Sequence, residues 1–322
     1  MQKPIVNIKL KINNNQFFNK TLSSFSIVLT FVLWYTFLVQ KVLFAPNPLF
    51  YKGVNMDCIE RSKEIRRLTF ECIASIGVGH IGGCLSIADV LSVLYTKHMN
   101  VDPQNPQMKG RDRLVLSKGH AGPAWYATLA SFGYFPKEEL KTLNKIGTKL
   151  PSHCNAQLTP GVDMTTGSLG QGISCAVGMA IGSKLSRDKA RIYCIVGDGE
   201  SQEGQVWEAI MLAAQKKLNN FTLFIDNNKM QIDDTTENVI KMEDYEKKMK
   251  AFGFNAIRID GHDHDAIDQA IEKAKKCKSK PTAIILDTIK GKGVSFIEAM
   301  GVSNHSTNIS PEQLELALQE LK

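Results

Sequence analysis

Asp198 is the residue in this sequence best placed to do chemistry. It stands in Gly197-Asp198-Gly199, where the apolar, β-branched run 192–196 stops. A second apolar run, 221–225, stops at Asp226-Asn227-Asn228. Asp198 offers a hard carboxylate oxygen and Asn228 a side-chain carbonyl, while the flanking glycines let backbone N–H groups approach a phosphate. Magnesium takes few protein ligands and fills its other positions with phosphate oxygens and water. Asp198, Asn228 and a nearby main-chain carbonyl would therefore suit a metal–diphosphate, and the amino terminus of the helix that follows from Glu203 adds a favourable dipole. Taken alone, Gly-Asp-Gly reads as a turn after a strand. The second strand-end Asn, thirty positions on, moves the reading to a site.

Histidines recur in similar settings. His80 lies in the glycine-dense Gly79-His80-Ile81-Gly82-Gly83, His120 closes Ser117-Lys118-Gly119-His120, His153 sits in Pro151-Ser152-His153-Cys154, and His262 in Asp260-Gly261-His262-Asp263. Each alone reads equally well as a turn or capping histidine. His98 reads as surface or packing, His264 as an exposed residue at a helix start, and His305 as part of a polar loop. Thr165-Thr166-Gly167-Ser168-Leu169-Gly170-Gln171-Gly172 by itself is a helix start with glycine packing.

The elements that must position these groups follow from periodicity. Short runs at 113–116, 192–196, 221–225, 254–259 and 282–287 predict strands, each ending in a polar or glycine-rich turn. Helical patterns cover 59–76, 87–97 (capped by Ser86), 122–133, a Pro136 start, 173–185, 203–217, 265–276 and a last helix opened by Ser310-Pro311. Strands alternating with helices require parallel pairing through crossovers. The expected fold is a three-layer α/β/α domain with a mostly parallel sheet, its ligands at the carboxyl ends of the strands.

Composition excludes several function classes. The hydrophobic content of 43% and charged content of 22% are those of an ordinary globular chain. The net charge of +7 comes from six lysines in residues 1–55, which hold no acid, so 56–322 carries only about +1 and no nucleic-acid-binding stripe. Seven scattered cysteines without a C-x-x-C pair point to buried thiols rather than disulfides or zinc. Residues 21–40 carry no charge and could span a bilayer. No A-x-A site follows, as a signal peptide needs, and no arginine precedes, as a transit peptide needs. Met56 reads as the natural start of the domain 56–322, with 1–55 a leader. The expected compartment is cytoplasmic, with membrane attachment only if 21–40 is a real anchor.

Taken together, GHIGGCLSIADVL, LSKGHAGPAWYATL, TTGSLGQGISCAVGMAIG, GDGESQEGQVWEA, FIDNNKMQIDD, DGHD and TIKGKGVSF resemble the amino-terminal half of transketolases across 59–297, above all the separate amino-terminal subunits of split ones. The resemblance implies thiamine diphosphate and Mg2+ (Ca2+ or Mn2+ as substitutes), with Asp198, Asn228 and the main chain of Met230 as metal ligands. It implies His80, His120, His153 and His262 on the thiazolium and donor-sugar side of the site. Gly167 and Leu169 would present backbone to the cofactor, Gly199 would bind diphosphate, and Glu203 would join a subunit interface. His305 matches less well, because the tryptophan usual before it is absent. The glutamate that activates the aminopyrimidine would belong to a separate pyrimidine-domain subunit, in a dimer of heterodimers acting on sugar phosphates. The alternatives are another thiamine diphosphate-dependent ketose transferase, a deoxyxylulose-phosphate-type synthase and a non-catalytic partner subunit.

Overall fold

The computed structural model describes residues 56–322; residues 1–55, on which the leader and anchor expectations fall, lie outside them. The helices used below are α1 (Cys58–Ala74), α2 (Ala88–Val93), α3 (Gly122–Ser131), α4 (Gln171–Ser186), α5 (Gly204–Gln215), α6 (His264–Lys276) and α7 (Pro311–Glu320). The strands are β1 (Val78–Gly79), β2 (Arg113–Leu116), β3 (Ile192–Gly197), β4 (Phe221–Asn227), β5 (Asn255–Asp260), β6 (Thr282–Asp287) and β7 (Thr307–Asn308).

Five strands form one all-parallel sheet in the order β2-β3-β4-β6-β5. Side chains alternate across it, as a period of two demands. Leu114, Leu116, Tyr193 and Ile195 enter a core shared with α1, α2, α3, α6 and α7. Val115, Ile192, Cys194 and Val196 enter the opposite core, shared with α4 and α5. The three-layer α/β/α expectation therefore holds. With both faces covered, β3 and β4 read as continuous apolar runs buried along their whole length, while the edge strand β5 alternates and stays partly exposed.

Several local expectations give way to packing. The 87–97 pattern is not one helix, because α2 passes at Leu94 into a π turn, Leu94–His98, that buries His98. Ser86 does not cap α2; its hydroxyl bonds Gly83 O and reaches Asp226 Oδ2 at 2.8 Å. The segment after Pro136 is 3-10 rather than α. His264 is half-buried, because it opens α6 against Asp89 and Ser62. One element was not expected at all: β1 and β7 pair antiparallel, Val78 opposite Asn308 and Gly79 opposite Thr307. The seven cysteines are free thiols, most of them buried. Among the described residues no helix is long and apolar enough to cross a membrane.

Candidate active site at the carboxyl edge of the sheet

β3 and β4 are parallel neighbours, so Asp198 and Asn228 emerge side by side at one sheet edge. Asp198 is 2% exposed. Its Oδ1 accepts from Gly199 N at 2.8 Å, and its Oδ2 from Lys229 N. Burial, and then the charge of Asp226, push its carboxyl up to about 7. Asn228 donates through Nδ2 to Asp226 Oδ2 at 2.8 Å, which assigns Oδ1 as its outward oxygen, 3.1 Å from Met230 N. Behind them Lys118 and Asp226 form a buried ion pair at 2.6 Å. Burial alone would raise Asp226; the Lys118 ammonium outweighs it and holds the carboxyl below its usual range.

A cavity of about 380 Å³ opens on this edge. His80, His120, His153, Gly167, Leu169, Asp198, Gly199, Glu203, Asn228 and Met230 all border it, so the structure gathers ten of the eleven expected site residues. Gly119 shows why glycine is needed here, since a Cβ would lie 2.7 Å from Gly167 N where the His120 turn crosses the Thr166-Gly167 loop. Glu203 stands exposed at the rim as the residue preceding α5.

His262 is the exception. Its Nδ1 lies 2.7 Å from Asp89 Oδ2 and its Nε2 accepts from Ile289 N at 2.8 Å, so both ring nitrogens are committed away from the cavity. His305 takes the place expected for it. Its ring centroid lies 5.3 Å from that of His80 and 5.0 Å from that of His120, and its Nδ1 is 3.2 Å from Lys290 Nζ. The β1–β7 pairing supplies the reason, because it ties the His80 loop to the segment just after His305.

Sequence reasoning also missed Lys118, Glu200, Asp226 and Lys290. Glu200 is buried and accepts from Ser117 Oγ, Gly170 N and Gly197 N, tying three loops of the edge together; burial raises its carboxyl despite these donors. Only the acid-rich Gly-Asp-Gly-Glu string and the Thr-Ile-Lys-Gly-Lys-Gly strand end hinted at Glu200 and Lys290. Burial, ahead of the nearby charges, pushes Lys290 down to about 8 and His305 down to about 4. It likewise lowers His80, and lowers His120 well below its ordinary value. Burial thus disfavours charge on His80, His120 and His305 beside Lys290.

These residues fit a divalent cation on a diphosphate. A buried carboxylate pushed toward protonation is relieved by a cation beside it. The donor set is oxygen only, which suits a hard ion. Among the described residues no three Asp, Glu, His or Cys side chains converge as a metal cluster, so phosphate and water would complete the shell.

Comparison with known proteins identifies the family. The family profile for the transketolase thiamine diphosphate binding domain matches residues 59–320. The 6-deoxy-6-sulfo-D-fructose transketolase subunit SqwG of Clostridium sp. (strain MSTE9) is 51% identical over 83% of this chain and 97% of its own length. An apulose-4-phosphate transketolase subunit of Phocaeicola vulgatus is 37% identical over 81% and 92%. The crystal structure of Campylobacter jejuni transketolase superposes with a TM-score of 0.77 at 34% identity, over 83% of this chain and 43% of that one. The chain thus spans less than half of the solved transketolase and nearly all of the subunits. It belongs to the transketolase family, as a thiamine diphosphate-binding domain.

Proposed function

We propose that this chain is the diphosphate-binding subunit of a two-chain transketolase that moves a two-carbon ketol unit between sugars. One observation carries the reading: Asp198 and Asn228 end adjacent parallel strands beside a cavity that His80, His120 and His305 enter. Asp198, Asn228 and the main-chain carbonyl of Met230 would hold Mg2+ on the cofactor diphosphate, with Ca2+ or Mn2+ as substitutes. Gly199 would donate its N–H to the diphosphate, and Gly167 and Leu169 would offer backbone to the ring end. Thiamine diphosphate, when bound, supplies the nucleophilic carbon. The protein's own share is binding, orientation and proton handling. Neutral His80, His120 and His305 can each take a proton from a ketose hydroxyl or return one, and His153 at the mouth can hold a sugar hydroxyl. Lys290 adds positive charge where anionic ligands enter.

The acid that activates the aminopyrimidine would come from a pyrimidine-domain subunit, in a dimer of heterodimers with Glu203 near the shared surface. The 51% identity to a subunit named for 6-deoxy-6-sulfo-D-fructose makes that ketose the first donor to assay, ahead of ketose phosphates. Purified alone, the chain should show no ketol transfer. Titrating in the pyrimidine-domain subunit should bring activity up to saturation at equal stoichiometry. Full turnover by this chain alone, once mass spectrometry excludes a co-purified partner, overturns the reading.

A further inference from the structure

His262 lies outside the cavity yet is wired to it. Ile289 N is a donor only, so the 2.8 Å contact makes His262 Nε2 the acceptor; the ring proton then sits on Nδ1 and is donated to Asp89 Oδ2 at 2.7 Å. Asp89, 2% exposed, is gripped from the other side by Arg66 through both oxygens, at 2.9 and 2.5 Å. Arg66 Nε in turn donates to Lys292 O at 2.9 Å. One buried carboxylate thus joins two clamps, on Ile289 N and on Lys292 O. The residue near their midpoint is Lys290, 3% exposed, with its ammonium 3.2 Å from His305 in the cavity. Asn304 Nδ2 fixes the Lys290 carbonyl at 3.0 Å, and Gly291 N bonds Gly82 O beside the His80 turn. Ile289 is 45% exposed, so this residue is held by its backbone rather than by packing.

We propose that His262 is a positioning residue: with Asp89 and Arg66 it clamps the 288–293 loop so that Lys290 meets anionic ligands in the cavity. The inference rests on the proposed function only in naming a diphosphate as that anion. In His262→Asn the amide can keep the Asp89 bond but falls short of Ile289; in His262→Gln the longer amide can accept from Ile289 and donate to Asp89.

The test uses the full chain with Mg2+ and inorganic pyrophosphate as the probe, read by calorimetry. His262→Asn and Lys290→Gln should each weaken binding about 5- to 10-fold, and the double variant should be no weaker than Lys290→Gln alone, because both act through one ammonium. His262→Gln should restore affinity. Independently of any ligand, the rate of Lys290 acetylation, read by mass spectrometry, should rise several-fold in His262→Asn and return in His262→Gln. Additive losses in the double variant, or unchanged Lys290 acetylation, overturn the clamp. If His262→Asn fails to fold, the acetylation rate and affinity of His262→Gln decide, and wild-type values in both support the clamp while altered ones overturn it. Wild-type protein that binds no pyrophosphate overturns the functional reading, and the acetylation arm still decides the clamp.

Discussion

Two groups of histidines sit near one edge of one sheet, and their surroundings differ in kind. His262 and His264 share the Asp89 carboxylate, whose other face is filled by Arg66. His80, His120 and His153 have ring centroids within about 6.0 Å of a neighbour, tilted or edge-on, yet make no side-chain hydrogen bond to the described residues. In the first group each imidazole is hydrogen-bonded to a buried carboxylate, so the imidazoles serve the fold. In the second, burial disfavours charge on His80 and His120 and no internal hydrogen bond repays it, which is how a polar cavity stays receptive to a ligand. Asp198 and Asp89 show the same contrast. Both are buried, but Asp198 is pushed up to about 7, while Asp89 is held well below its ordinary range: burial would raise it, and His262, His264 and Arg66 outweigh that.

The sharpest way to break this comparison is Asp89→Ala. It leaves Arg66 buried without its carboxylate, which typically costs about 3–5 kcal/mol, and urea unfolding should show a loss of that order. A loss below about 1 kcal/mol would mean the pair behaves like a surface bridge, and the paired half of the contrast would fall.

Asp198→Asn should do the opposite. Removing a metal ligand should weaken Mg2+-dependent thiamine diphosphate binding by at least ~100-fold, above what supporting residues cost. Ligand-free protein should become more stable at pH 8. The sign follows from the raised carboxyl: the folded state holds its proton up to about 7, whereas an unfolded Asp releases it near ~3.9. Stability is therefore lost between those values as pH rises, and the amide escapes that loss. Differential scanning calorimetry reads the shift, and a lower midpoint for the variant would contradict the assignment.

His305→Asn sharpens the contrast between His305 and His264. With the partner subunit present, ketol transfer should fall on the order of 10²-fold at an unchanged unfolding midpoint. His264→Asn should instead act on stability, by about 1 kcal/mol for a lost buried hydrogen bond. Unchanged transfer in His305→Asn would return that residue to the role of a loop histidine.

The smallest effect is a pH dependence. His305 takes up a proton in the folded protein only near about 4, against ~6.5 unfolded. The unfolded state binds more protons between those values, so stability is lost as pH falls through that window. After allowance for solvent screening the loss is about 1 kcal/mol, and it should shrink in His305→Asn when denaturant midpoints are compared at pH 7 and pH 5.

Much of this was legible before any coordinates. The five sheet strands lie where short apolar runs end in polar or glycine-containing turns, and β3 and β4 read as unbroken runs because a strand buried on both faces has no solvent side to interrupt it. Errors clustered where a short polar side chain had a distant partner. Ser86 looked like a helix cap and instead reaches Asp226. His264 looked like a free helix start and instead packs on Asp89.

By itself the sequence determined the strands, their parallel pairing and the neighbouring positions of Asp198 and Asn228, because strands follow from local periodicity and these two residues belong to one strand–helix–strand unit. Only the tertiary structure decided which histidines face the cavity. His305 enters it because β7 closes on β1, and His262 turns away because Asp89 and Arg66, from two other helices, meet behind it. Burial and charge pairing are sums over long-range neighbours, and a motif contains only its own.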